Sequence, residues 1–220
     1  DYHLQNKGRY TMKKALLLFV AVLLVAGTLF AATSTKFNKY ANIFNTGEVT
    51  IKGINSQIND SGNREGDSLP VTIALKNGEY LMESIVDGYK AGVLFKNDGK
   101  LYMFDEKEKM AMIMPISSET MLQFPPVFVY TKNGNGKFDG KNLYYETLVE
   151  GDKQTIYWYS GNDIYAIQEI GPEENYAIFI SSITPKADSS LFAIPQGYEI
   201  LDMNDLMGFL DSLWAQSMPY

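Results

Sequence analysis

From Glu48 onward the chain alternates apolar and polar positions with the period of a strand. Val49-Thr50-Ile51-Lys52-Gly53-Ile54 changes side at every residue, as a strand with one buried face does. After a polar, glycine-containing stretch, Asn55 to Ser68, which reads as a loop or ragged hairpin, five strands follow: Leu69 to Leu75, Glu79 to Val86, Ala91 to Lys96, Lys100 to Phe104 and Met110 to Met114. Asn77-Gly78, Asp87-Gly88, Asn97-Asp98-Gly99 and the charged Asp105 to Lys109 separate them, all good hairpin chemistry. Connections this short require antiparallel neighbours. Pro115 to Pro126 interrupts the meander, and Phe124-Pro125-Pro126 forbids regular structure. Val127 to Tyr130, Lys141 to Val149, Gln154 to Tyr159, Asp163 to Ile170 and Tyr176 to Ile183 resume it, giving about ten strands. Gly134-Asn135-Gly136 reads as a loop between two of them.

Both ends change period. Phe37, Tyr40, Ala41 and Phe44 recur at spacings of three and four, so Thr35 to Asn45 is expected to form a short N-terminal helix on the sheet. Asp202 precedes Met203, Leu206, Leu210 and Leu213, one apolar helical face with Phe209 and Trp214 beside it. A C-terminal amphipathic helix follows, either completing the core or acting as a movable lid that Gly208 weakens. The fold class is therefore mainly β (α+β).

Met12-Lys13-Lys14 followed by the uncharged apolar run Ala15 to Ala32 has the layout of a bacterial secretory signal sequence. Residues 12–34 are read as signal sequence or N-terminal anchor, residues 1–11 as a non-native leader, and residues 35–220 as a single exported domain. The expected location is extracytoplasmic, secreted or in the cell envelope, with membrane contact only through the N-terminal segment if it stays uncleaved. No cysteine follows the run, which excludes lipid modification there, and the absence of cysteine leaves stability to the core alone. Residues 1–34 hold four of the 19 basic residues and one of the 26 acids, so the exported part carries 15 basic against 25 acidic residues, a formal charge of −10. Such a domain repels nucleic acid at long range.

Candidate chemistry is sparse. The single histidine is His3, so Ser/His, Cys/His and the usual zinc arrangements are excluded. The carboxylates lie mainly in turns and loops, and no spacing singles out a catalytic pair. No catalytic residue, metal site or cofactor is assigned. Asn133 to Gly140 has the glycines of a calcium loop but puts Lys137 where an oxygen ligand belongs, and a hairpin loop is the better reading. Met110, Met112 and Met114 place three thioethers on one strand face; core packing, an adaptable wall for an apolar ligand, and a copper(I) site are the competing readings.

The Asp98-Gly99-Lys100-Leu101-Tyr102-Met103-Phe104-Asp105 hairpin, the run Met110 to Pro115, the segment Asp139 to Glu146 and the closing Phe192-Ala193-Ile194-Pro195-Gln196-Gly197-Tyr198 occur in an order that resembles the superfamily of the periplasmic lipoprotein carrier and its lipoprotein-localisation relatives, especially the exported members from Gram-positive bacteria. The resemblance spans roughly Tyr40 to Tyr198. It implies a curved antiparallel sheet forming an incomplete barrel, whose concave face is covered by helices and encloses an apolar cavity for acyl chains. Strands apolar on both faces, such as Ile156 to Tyr159 and Ala177 to Ile180, independently call for a second covered face. The expected function is reversible holding of a lipid, acyl chain or other apolar ligand, without catalysis. The expected cavity wall is Tyr102, Phe104, Met110, Met112, Met114, Trp158 and Phe179. In a host without an outer membrane the resemblance supplies a shape without a cargo. The alternative is an envelope structural or sensory module that binds another protein or a lipoprotein.

Overall fold

The computed structural model describes residues 36, 39–40, 43, 46–114, 129–150, 153–172 and 175–203. Twelve strands form one sheet: β1 Glu48–Ile58, β2 Arg64–Lys76, β3 Glu79–Val86, β4 Tyr89–Phe95, β5 Leu101–Asp105, β6 Met110–Met114, β7 Val129–Phe138, β8 Lys141–Glu150, β9 Lys153–Ser160, β10 Asp163–Ile170, β11 Asn175–Thr184 and β12 Glu199–Asp202. Their order is β12-β6-β5-β4-β3-β2-β1-β11-β10-β9-β8-β7, and the sheet is not closed into a barrel. Two meanders, β1 to β6 and β7 to β11, are joined at the β1–β11 pair.

The tight turns form where the sequence places them. Lys76 pairs with Glu79 around Asn77-Gly78, Val86 with Tyr89 around Asp87-Gly88, and Phe138 with Lys141 around Asp139-Gly140. Both central residues have positive φ in each, 51° and 83° in the first, as the two-residue hairpin loop demands. The polar stretch after Ile54 is a ragged hairpin: β1 runs on to Ile58, β2 begins at Arg64, and the register slips between Asn55 and Gln57.

Two expectations are corrected. Asn133-Gly134-Asn135-Gly136 is not a loop but the middle of β7, paired with Tyr145 and Leu143 on β8. A Cβ on Gly134 would lie 3.0 Å from the Tyr145 hydroxyl, and one on Gly136 3.3 Å from the Trp158 ring, so the missing side chains make room for two aromatic rings lying across the strand. Antiparallel pairing is also not universal. Glu199–Asp202, unassigned in the sequence reading, adds to β6 in parallel, Glu199 opposite Met110 and Asp202 opposite Ile113. The sequence between β6 and β12 is long enough for a parallel return, which a hairpin is not.

Of the expected N-terminal helix, Lys39, Tyr40 and Ile43 are described and helical and Lys36 is described in a turn; its other residues, like the C-terminal helix beyond Met203, the segment from Pro115 to Pro126 and the apolar run Ala15 to Ala32, lie outside the described residues. Among the described residues no helix is long and apolar enough to cross a membrane.

Registers across the sheet fix which side chains share a face. Ile51, Ile73, Met82, Val93, Met103 and Met112 stand abreast from β1 to β6 on what we call the front face. The main core lies there, with Val49, Val71, Tyr80, Leu101, Tyr157, Tyr159, Ile167 and Ile178 buried and Tyr40 packed over them. The rear face carries two separate apolar clusters. One holds Ile58, Phe138, Ile156, Trp158 and Phe179; the other holds Leu81, Leu94 and Tyr102 beneath Phe192 of the crossing segment after β11. Both faces are thus covered in part, as strands apolar on both sides require.

Candidate functional site

The front-face core thins out at β4 to β6. Leu101 pairs with Met114, Met103 with Met112 and Asp105 with Met110, so the three methionines of β6 share the front face with Met103. Met103, Met110, Met112, Met114 and Phe95 are all half-buried, whereas Met82 and Val93 on the next strands are fully buried. Phe95, Met103 and Met114 pack against the buried core, and the row forms its accessible margin. Four flexible, polarizable thioethers here give a surface that reshapes around an apolar partner at little cost.

The seven residues expected to line one cavity divide between the two faces. Met110, Met112 and Met114 stand on the front. Tyr102 and Phe104 point to the rear, into the cluster under Phe192, and the Tyr102 hydroxyl donates to Asp98 at 3.0 Å. Trp158 and Phe179 lie in the other rear cluster: the Phe138 ring stacks on Trp158 at 4.6 Å and on Phe179 at 5.7 Å. Trp158 Nε1 donates to Gln168 Oε1 at 2.8 Å, and the Arg64 guanidinium sits 3.6 Å above the Phe179 ring. The seven residues therefore do not share one face, and the reason is strand parity: neighbours along a strand face opposite ways.

Two carboxylates that sequence reasoning overlooked lie buried in strands of the front face. Glu146 on β8 is 1% exposed and accepts hydrogen bonds from Tyr159 at 2.8 Å and Tyr144 at 3.2 Å. Glu169 on β10 is 6% exposed and pairs with Lys153 at 3.3 Å. Strand β9 separates them, with Tyr157 opposite Glu146 and Thr155 opposite Glu169. Burial, with the Glu146 charge adding to it, pushes the Tyr159 hydroxyl above the ordinary tyrosine value, so it stays a donor. Beside them the N-terminal residues dock: the Lys36 ammonium sits 4.6 Å over the Tyr144 ring, Lys39 pairs with Asp163 at 2.6 Å, and Tyr40 accepts from the Ile164 amide at 3.1 Å.

A third feature lies on the rear face between the two apolar clusters. There an open trough of about 740 Å³ is lined by Lys52, Lys76, Lys90, Lys186, Glu83 and Asp188. Lys52, Thr72 and Glu83 stand abreast on β1, β2 and β3, and the segment after β11 forms one wall. Lys90 pairs with Glu83 at 3.1 Å, and Lys76 donates to the Ala187 carbonyl at 3.0 Å. The Ser190 amide, joined by the charges of Lys76 and Lys186, holds the Asp188 carboxyl below the usual carboxylate range. The lysines come from four segments, and only register on β1 and the crossing chain bring them together. The one signal in the sequence is Lys52, charged, at a polar position of the alternating β1 strand.

No family model and no curated protein matches this chain. Among solved structures, that titled "Structure of PNGF-II in C2 space group" is similar at 15% identity and a TM-score of 0.37, over 76% of this chain. The chain spans about a third of that structure's length, 32%. The likeness is too slight to bear on fold or activity.

Proposed function

We propose that this chain is an exported binding protein that holds a lipid, acyl chain or other apolar ligand on the front face of its open sheet, against the methionine row of β5 and β6. The observation that carries the reading is the grouping of Met103, Met110, Met112 and Met114, half-buried, at the margin of a core whose neighbouring residues are fully buried. A row of large apolar side chains left partly accessible is an area that a ligand can cover, and covering what remains exposed of each contributes a fraction of the about 1.5–3 kcal/mol that full burial is worth. The open, unclosed sheet is compatible with the incomplete barrel of the lipoprotein-carrier resemblance, in which terminal helices cover the concave side. On that reading the signal-like N-terminus delivers the domain outside the cytoplasm, and the task is carriage rather than catalysis.

The test is native mass spectrometry with lipid extraction on the protein purified from a bacterial host. Co-purifying acyl lipid that is lost in Met112→Asp, with far-UV circular dichroism unchanged, is the expected result. A clean mass with no uptake of added fatty acid or phospholipid would discard the reading. A second reading, binding of an envelope protein, has its own support: Ile200 and Leu201 on β12 are 53% and 38% exposed, and among the described residues no strand pairs with the outer edge of β12, where main-chain pairing is on offer.

A further inference from the structure

We propose that the trough on the rear face is a second binding site, separate from the methionine row, for a polar ligand bearing phosphate groups. Charge is the first argument. The whole chain has a formal charge of −7, yet the trough gathers four lysines against two carboxylates. Lysines outnumber carboxylates in this concave surface, so the patch favours anions although the protein as a whole repels them.

The second argument is which lysines are already engaged. Lys90 is held by Glu83 and Lys76 by the Ala187 carbonyl and, at 3.9 Å, Glu48. Lys52 and Lys186 have no acceptor for their ammonium groups among the described residues, and both are exposed at the mouth of the trough. Two engaged cations form a fixed floor, and two free ones supply donors to an incoming anion. Thr72 on β2 and Thr184 on β11 add hydroxyls on either side of β1.

The third argument concerns ligand type. Carboxylates are best matched by the planar fork of arginine, and no arginine lines the trough; lysine serves phosphate as a compact point charge with three donors. A volume of about 740 Å³ exceeds what one phosphate ion needs and falls in the range of small-molecule sites. The strands beneath are pinned by apolar clusters on either side, so the lysine stems start from a rigid floor.

Isothermal titration calorimetry on the full chain, with inorganic pyrophosphate, glycerol 2-phosphate and phosphatidylglycerol vesicles as probes and neutral glycerol as control, tests this. Saturable binding of a phosphate probe is expected, weakening steeply with added salt. Hydrogen bonds to charged groups of about 1.5–3 kcal/mol imply at least about a tenfold loss of affinity in each of Lys52→Ala and Lys186→Ala. Met112→Asp should leave binding of the soluble phosphate probes unchanged, which separates this site from the front face. Binding of the soluble probes assigns a free phosphate ligand, and binding of vesicles alone assigns a lipid head group. No saturable binding by any probe, or binding indifferent to both lysine variants with folding intact, would overturn the proposal.

Discussion

Tyr159 donates a 2.8 Å hydrogen bond to Oε2 of Glu146, placing a carboxylate that is 1% exposed inside the front-face core between two tyrosines. A charge in such surroundings is tolerated only while its donors are in place. Tyr159→Phe removes one donor without changing the volume. We expect it to destabilise the protein by about 1.5–3 kcal/mol, read as a lower urea midpoint. An unchanged midpoint would mean that this bond carries no weight.

Gly92 on β4 stands opposite Glu83 on β3, where the strands approach so closely that an added Cβ would lie 2.1 Å from the Met82 carbonyl oxygen. A backbone atom cannot swing aside as a side chain can. Gly92→Ala should therefore cost about 3 kcal/mol or more, and calorimetry should find its Tm clearly lowered. A Tm equal to the parent's would refute the close approach of β3 and β4.

Asp139, at φ 48° in the β7–β8 turn, accepts from the Tyr165 hydroxyl and from Arg64 at 2.9 Å. Burial opposes its charge, but the Tyr165 and Arg64 hydrogen bonds outweigh it and hold the carboxyl below the ordinary value of 3.8. A lowered folded pKa means stability that is fully present above the unfolded value and lost as pH falls through the folded one. Asp139→Asn keeps the turn, since asparagine tolerates positive φ. It should be less stable than the parent by about 1–2 kcal/mol at pH 7 in low salt, and the gap should narrow below about pH 4. Urea melts at pH 7 and pH 3 decide it; a gap that is the same at both would remove the carboxylate from the acid limb.

Much of the architecture is legible in the sequence. The alternation in Val49 to Ile54, the Asn77-Gly78 and Asp87-Gly88 turns and the strands between them formed as read, because turn type and side-chain period are local properties. The reading failed where a distant partner decided the matter. Gly134 and Gly136 have the look of a loop until Tyr145 and Trp158 are laid across them. Glu146 has the look of a solvated charge until Tyr159 reaches it from the neighbouring strand β9.

By itself the sequence determined the material of this protein: a mainly β chain with short antiparallel connections, no cysteine, an acidic balance and an apolar segment before the first strand. Tertiary structure alone decided how the strands order, that β12 returns in parallel to β6, and which residues meet on each face. Tyr102 and Met103 are chain neighbours, yet one packs beneath Phe192 and the other beside Met112 on the opposite side of the sheet. The same rule gathers Lys52, Lys76, Lys90 and Lys186 from four segments into one trough. Composition is a property of each segment, whereas a site is a property of register, and register is set by pairings between residues as far apart in the chain as Thr50 and Thr184.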